Sequence, residues 1–270
     1  MIPVSIAVEA VLLGIGTGFL AALAGFGGGF LYVPILILVF GVDPQDAVGT
    51  SLAVIIFTTL AASVSYLRQN KVFFRSAACL LPPSILGAVA GAYLTAFISG
   101  RLIEILFSLF VGLLAIKLIF QDFPLVQAIR KGPSFKETSS DTYSCVETTI
   151  YYLHYCVWGG LAGLASGLTG IGGGIFNVPA LVTAGMPVHF AVATSSLAVL
   201  GTSCAGAFTH ATLGHIQVVY AIPLSIGAII GAYAGTRAAP KIPEGLLRVG
   251  IGMLLAVVAL MMLVSILTHL

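Results

Sequence analysis

Apolar runs of about twenty residues recur along the whole chain, at about 4–24, 45–67, 73–97, 101–120, 148–169, 188–210, 216–236 and 244–268. Coiled into a helix, each matches the hydrocarbon thickness of a bilayer. Inside lipid only helices and closed barrels satisfy their own backbone polar groups. A barrel is built from short segments of alternating polarity, and these runs do not alternate. Only 7% of the residues are charged, against roughly 25% in soluble domains. The chain is therefore expected to be an all-α polytopic membrane protein. The first run has no basic flank and is too long for a signal-peptide core, so it is expected to be a membrane helix as well.

The second constraint is duplication. Residues 25–34 read Gly-Phe-Gly-Gly-Gly-Phe-Leu-Tyr-Val-Pro, and residues 170–179 read Gly-Ile-Gly-Gly-Gly-Ile-Phe-Asn-Val-Pro. Around them Gly14, Gly18 and Leu23 match Gly159, Gly163 and Leu168. Further on, Ala47, Val48, Thr50 and Ser51 match Ala191, Val192, Thr194 and Ser195. Pro83, Gly87, Ala88, Gly91, Ala92 and Tyr93 match Pro223, Gly227, Ala228, Gly231, Ala232 and Tyr233. Order and spacing agree over more than a hundred residues, which reads as an internal repeat. Repeat 1 spans 1–120, a polar connecting loop 121–147, and repeat 2 spans 148–270. Each repeat has four long transmembrane helices plus a glycine-rich break and a short half-membrane helix, near 29–40 and 174–185.

The short stretches decide the sense of the repeats. If each crosses with its glycine loop, a repeat has an odd number of crossings and the second is inverted. If each dips and returns, the repeats are parallel. Lys and Arg collect on the cytoplasmic side of a membrane. The inverted arrangement puts Arg68, Lys71, Arg75, Lys117, Arg130, Lys131, Lys136, Arg237, Lys241 and Arg248 on one side and Arg101 alone on the other. The parallel arrangement moves Arg237, Lys241 and Arg248 across and weakens the bias. Two inverted repeats are expected, with the 121–147 loop cytoplasmic, both termini outside, and the glycine loops meeting at mid-membrane.

No P-loop, HExxH or GxSxG occurs, and the glycine runs have no preceding strand, so nucleotide and hydrolase chemistry find no support and the chain is expected not to be an enzyme. The four cysteines have no metal-ligand spacing. No metal, cofactor or nucleic-acid partner is expected, and Cys79, Cys156 and Cys204 read as small buried hydrophobes. No ionised residue falls at the middle of a span. An anion carried through such an interior would meet helix N-termini and bare amides instead of a cationic side chain. The candidate substrate-binding residues are Gly25, Gly27, Gly28, Gly29, Gly170, Gly172, Gly173 and Gly174, joined by Tyr32 and Asn177 and by the hydroxyls of Thr50, Ser51, Thr194 and Ser195. Those hydroxyls either donate to a ligand or cap and back-bond their own helices. Gly14, Gly18, Gly159, Gly163, Gly167, Gly227, Gly231 and Gly235 have the spacing of close helix packing. His154, His189 and His210 sit near span ends, where they either exchange a coupling proton or simply lie at the interface. Lys71 and His215 fall in matched loops and are expected to be solvated.

A GxGGGxxxVP run in each half, an A-x-x-T-S start to the next span and a P-x-x-x-G-A-x-x-G-A-Y span resemble the TauE/SafE family of sulfite exporters, also called the 4-toluene sulfonate uptake permease family. The resemblance covers nearly the whole chain. It implies a secondary transporter of sulfite or of sulfonates such as sulfoacetate, working by alternating access in the cytoplasmic membrane. The family's signature falls on Gly25–Pro34, Thr50, Ser51, Gly170–Pro179, Thr194 and Ser195. An anion or small-solute channel using the same breaks as a filter is the competing reading. The coupling ion, H+ or Na+, and a homo-oligomeric state are left open.

Overall fold

The computed structural model describes residues 4–120, 149–239 and 244–268. The connecting loop assigned to 121–147 lies outside them. The described residues form helices and no strand: α1 (Val4–Ala24), α2 (Gly29–Pro34, continued as a π-helical turn over Ile35–Val39), α3 (Pro44–Arg68), α4 (Phe74–Thr95), α5 (Gly100–Phe120), α6 (Thr149–Thr169), α7 (Gly174–Thr183), α8 (Val188–Thr212), α9 (Val218–Ala238) and α10 (Glu244–Thr268). Helices α1, α3, α4, α8 and α9 are long and apolar enough to cross a membrane, and α5, α6 and α10 have 21, 21 and 25 residues. The protein is an all-α polytopic membrane protein. The elements fall within a few residues of the apolar runs. The π turn follows Pro34, whose missing N–H interrupts the α ladder.

The helices are held by backbone contact at glycine. Gly14 and Gly18 of α1 lie against Leu224 to Ala228 of α9, and Gly227, Gly231 and Gly235 of α9 lie against Val11 to Ala22 of α1. Gly87 and Gly91 of α4 meet α6 in the same manner, and Gly159, Gly163 and Gly167 of α6 meet α4 from Leu80 to Ala92. Without a side chain at these positions two helices approach closely enough for extensive van der Waals contact, which drives association in lipid. Each repeat thus lends its first long helix to the other repeat's penultimate one. Such reciprocity, where i meets j and j meets i, is the mark of a twofold axis.

The same contacts give the direction of each helix. Rising residue numbers in α1 meet rising numbers in α9, so these two run parallel, as do α4 and α6. Helices α3 and α8 run antiparallel, because Gly49 lies against His210 while Leu52 lies against Gly206. The end of α3 reaches the end of α1 through Tyr66 and Ala22, and the end of α9 through Ser65 and Thr236. Hence α1, α3 and α9 point one way and α4, α6 and α8 the other. Equivalent helices of the two repeats point in opposite directions, and the twofold axis lies across the helices. The repeats are inverted. The return from the end of α1 to the start of α3 is made by the glycine break and α2.

At the centre stand α3 and α8, each 67% buried over its most apolar stretch, against 39% for α1 and 33% for α4. Helices α5 and α10 pack together through Phe107, Val111, Leu255 and Val258, and this cluster also covers Phe26, Phe30, Ile171 and Ile175 beside the glycine breaks. Leu86, Phe97 and Phe208 point outward, as expected of a lipid-facing surface. Cys156 and Cys204 are exposed there too, while Cys79 is half-buried. The expectation of buried cysteines is corrected for those two: small side chains are as acceptable to lipid as to a packed core.

Candidate functional site

Each glycine break is a stretch of backbone that no other residue would tolerate. At Gly28, the N-cap of α2, φ is 93°, and a Cβ would lie 2.7 Å from Ala21 Cβ and 2.8 Å from the Tyr32 ring. Its equivalent Gly173 caps α7 with φ 76°. Left-handed backbone of this kind is strained for any side chain. The two breaks touch. A Cβ on Gly29 would strike the Gly170 carbonyl oxygen, and one on Gly174 would lie 2.5 Å from Phe26 Cα. Gly27 and Gly172 both abut Ile55 and Val199, close to the midpoints of α3 and α8. The breaks therefore meet halfway along the central helices, as the repeat pattern predicted. Residues 21–34 and 165–175 are buried throughout.

The break amides are unusual in having nothing to bond. Gly25 N–H donates to Ala21 O and Gly170 N–H to Ser166 O, completing α1 and α6. Bonding resumes only at Leu31 and Phe176, which donate to Gly28 O and Gly173 O. Between them, the amides of Phe26 to Phe30 and of Ile171 to Ile175 donate to no acceptor among the described residues. These are the orphan donors that every helix N-terminus presents, buried here at the starts of α2 and α7. Both starts carry partial positive charge, and each lies against the first residues of the other repeat's break.

Asn177 lies one turn into α7. It is wholly buried, and neither its Oδ1 nor its Nδ2 has a hydrogen-bond partner. Tyr32, its equivalent in α2, is also wholly buried, but its hydroxyl is paired with Thr58 Oγ1 at 2.9 Å. The shorter amide at 177 makes no such bond to Thr202, the equivalent of Thr58. Thr202 donates to Ala198 O in its own helix, as Thr58 does to Val54 O, but has no tyrosine partner. Ser166 and Ser203 are likewise buried with unpaired hydroxyls. The repeat alignment sets these two opposite Ala21 and Thr59. The sequence signal for Ser166 is a polar residue set against alanine in the alignment; Ser203, set against Thr59, offers none.

The four hydroxyls of the Thr-Ser pairs are engaged with backbone across the repeat boundary. Ser51 Oγ donates to Gly170 O (2.9 Å) and Val48 O (2.7 Å), and Ser195 Oγ donates to Gly25 O (3.0 Å). Thr50 Oγ1 accepts from the Gln217 N–H (2.9 Å), and Thr194 Oγ1 from the Phe73 N–H (3.1 Å). Each serine thus pins the other repeat's break, and each threonine holds the residue that opens the other repeat's penultimate helix. All fourteen sequence-derived candidates lie at or around the meeting point of the repeats. Gly27, Gly28, Gly29, Gly172, Gly173, Gly174 and Asn177 leave donors unpaired among the described residues, while Gly25, Gly170, the Thr-Ser pairs and Tyr32 are committed to protein partners.

The histidines divide. His154 lies beside Trp158 on α6, within 3.4 Å of Ala180 O and Thr183 Oγ1. His210 is wholly buried, 3.0 Å from Gly167 O and 3.2 Å from His215 Nδ1. His215 is therefore half-buried and bonded, which corrects the expectation of a solvated loop residue. The turn after α8 folds its ring back onto α8. Among the described residues no cluster of His, Cys, Asp or Glu could hold a metal.

A family model described as sulfite exporter TauE/SafE matches residues 10–262. Among curated proteins the chain is similar to the probable membrane transporter protein YunE of Bacillus subtilis (strain 168), 32% identical over 83% of this chain and 85% of that one. It is 27% identical to the probable membrane transporter protein YdhB of the same organism, over 93% and 96% of the two chains. It is 28% identical to the probable membrane transporter protein MJ0441 of Methanocaldococcus jannaschii, over 94% of each. No solved structure matches significantly.

Proposed function

The chain belongs to the sulfite exporter TauE/SafE family, a family of membrane transporters, and from that premise we propose that it carries a small sulfur-containing anion, sulfite or an organosulfonate such as sulfoacetate, by alternating access. The observation that carries this reading is the meeting of two helix starts whose amides have no acceptor, beside the unpaired Asn177 amide. Two positive helix ends repel each other, and buried unpaired donors are costly. A sulfonate or sulfite group relieves both at once. Its oxygens accept several N–H bonds, each contributing about 1 kcal/mol net and more when the acceptor is charged. No cationic side chain is needed.

The breaks are enclosed by protein, so exchange with water requires one repeat to move against the other. The serines give that motion its register. Ser51 and Ser195 tie each break to the opposite repeat, and parting the repeats exchanges those bonds for solvated ones. The cytoplasmic (plasma) membrane is the expected location, with the loop at 121–147 inside.

The test is counterflow of sulfite and of sulfoacetate in proteoliposomes containing the wild type, Gly28→Val or Gly173→Val. Saturable counterflow that either substitution abolishes, with normal insertion, supports the reading. Flux without counterflow points to the channel alternative. Unimpaired counterflow in both variants removes the breaks from the site.

A further inference from the structure

The twofold axis that relates the repeats carries Tyr66 onto His210, because α3 and α8 align at a constant spacing of 144. It also carries Ala22 onto Gly167. The two contacts are chemically parallel. Tyr66 Oη donates to Ala22 O at 2.9 Å, and His210 Nε2 lies 3.0 Å from Gly167 O. Each ties a central helix to the last turn before a glycine break, at opposite ends of the protein. A phenol stays neutral across the physiological range, whereas an imidazole does not. One end of the molecule therefore has a fixed tie, and the other has a tie that can take up charge.

The protons at His210 can be assigned from its partners. A carbonyl only accepts, so Nε2 of His210 carries a hydrogen and donates to Gly167 O. Nδ1 of His210 is then the acceptor, and the 3.2 Å contact requires His215 Nδ1 to donate. That leaves the lone pair on His215 Nε2. A proton added there breaks no existing bond. It turns a neutral N–H···N contact into a charge-assisted one, which is shorter and stronger. His215 is half-buried, whereas the rest of the arrangement is enclosed. The counter-charge is Asp46, in the first turn of α3, which accepts from Gln217 Nε2 at 2.7 Å; Gly49, one turn further along α3, lies against both His210 and His215. Among the described residues the other titratable side chains at this end are Asp43 just before α3, Tyr93 on α4, Arg101 and Glu104 on α5, Tyr220 on α9 and Glu9 on α1.

We propose that His210 and His215 form a site for a single proton, taken up at His215 Nε2 with its charge stabilised through the Nδ1–H···Nδ1 bond and with Asp46 as counter-ion, which couples protonation to the tie between α8 and the end of α6. The proton comes from the aqueous phase on the face where α1 and α3 begin, binds His215 Nε2, and leaves by the same atom. Nothing else is gained or lost. The site supplies the coupling-ion chemistry that the charge-free middle of the spans does not, and it stands apart from the substrate assignment.

Histidine-labelled full-length protein in lipid nanodiscs tests this by ring 15N and 13C shifts from about pH 4 to about pH 8. The expected result is a coupled titration, both rings shifting together in a first step and separating in a second, at least about one pH unit apart. In His215→Asn the first step disappears from His210. Rings that titrate independently, or a His210 curve unchanged by His215→Asn, overturn the proposal. Hydrogen exchange over residues 166–172 gives a second readout. Its protection factor, with the intrinsic pH dependence of amide exchange divided out, is expected to change about tenfold over that range in the wild type and to stay flat in His210→Tyr, which reproduces the first repeat's own residue. Equal pH dependence in both proteins also overturns it. Neither measurement uses a transported anion, so failure here leaves the glycine-break reading standing, and the converse holds.

Discussion

Replacing Asn177 by Leu is expected to stabilise the protein while abolishing transport. Both polar atoms of this wholly buried side chain are unpaired. A buried polar group without a partner costs about 1–3 kcal/mol in mutational series. Leu has the same branching and nearly the same size, so little cavity or overpacking penalty offsets the gain. A gain of that size raises the midpoint of thermal unfolding by about 2–12 °C for a chain of this length. The equivalent change in the other repeat, Tyr32→Phe, should do the reverse. It deletes the 2.9 Å bond to Thr58, and a hydrogen bond between membrane helices is worth about 0.6 kcal/mol on average. Thermal unfolding of both variants in one detergent, beside counterflow in proteoliposomes, reads the two signs together. If Asn177→Leu lowers the midpoint as Tyr32→Phe does, the amide has a partner in the bilayer and the argument from an unpaired group fails.

Three further outcomes follow from single contacts. Ser195→Ala should destabilise by about 1 kcal/mol and Ser51→Ala by less, because the Ser51 hydroxyl is shared between Gly170 O and Val48 O whereas Ser195 Oγ serves Gly25 O alone; comparison of unfolding midpoints checks the order. Gly28→Ala should cost about 1–3 kcal/mol, since its backbone is left-handed and the added methyl meets Ala21 and Tyr32. Gly160→Ala, where a Cβ meets nothing within 4 Å, should by contrast stabilise by about 0.4–1 kcal/mol, because the helical backbone accepts alanine and the unfolded chain loses freedom. Gly231→Leu should drive α9 off the α1 backbone at Ile15, and a disulfide-crosslinking yield between cysteines placed on the lipid-side flanks of α1 and α9 should fall.

The helices were legible because lipid leaves so few alternatives: once each run was long enough and nearly chargeless, only its ends were in question. The inversion was legible in Arg237, Lys241 and Arg248, whose side of the membrane changes with topology; α1, α3 and α9 now share one direction and α4, α6 and α8 the other. The meeting of Gly29 with Gly170 also followed from the repeat. Side-chain commitments were harder. Thr50 and Ser51 stand in the sequence as hydroxyls of unknown employment, and only their distance to Gln217 and Gly170, more than a hundred residues away, reveals that they bind backbone. His215 reads from the sequence as a loop residue, because nothing in the local sequence says that the turn after α8 folds its ring back onto His210.

What the repeats do not share carries as much argument as what they do. In an inverted pair, exchanging the conformations of the two halves turns one access state into the other. Were the halves identical, the two states would be equal in energy apart from their different surroundings. Here Tyr32 is set against Asn177, and Tyr66 against His210. The first pair places unpaired polar atoms on one side of the axis only, so an anion at the breaks interacts differently with α2 and α7. The second pair makes one end sensitive to protons and leaves the other insensitive. A ligand shifts an equilibrium only through a difference in its affinity for the two states. Both differences are of the kind that supplies one, and they lie on separate residues. Restoring symmetry at each position in turn, with Asn177→Tyr or His210→Tyr, should therefore remove anion dependence and proton dependence from the conformational equilibrium one at a time. Loss of both in either variant would mean that the two pairs report on a single site.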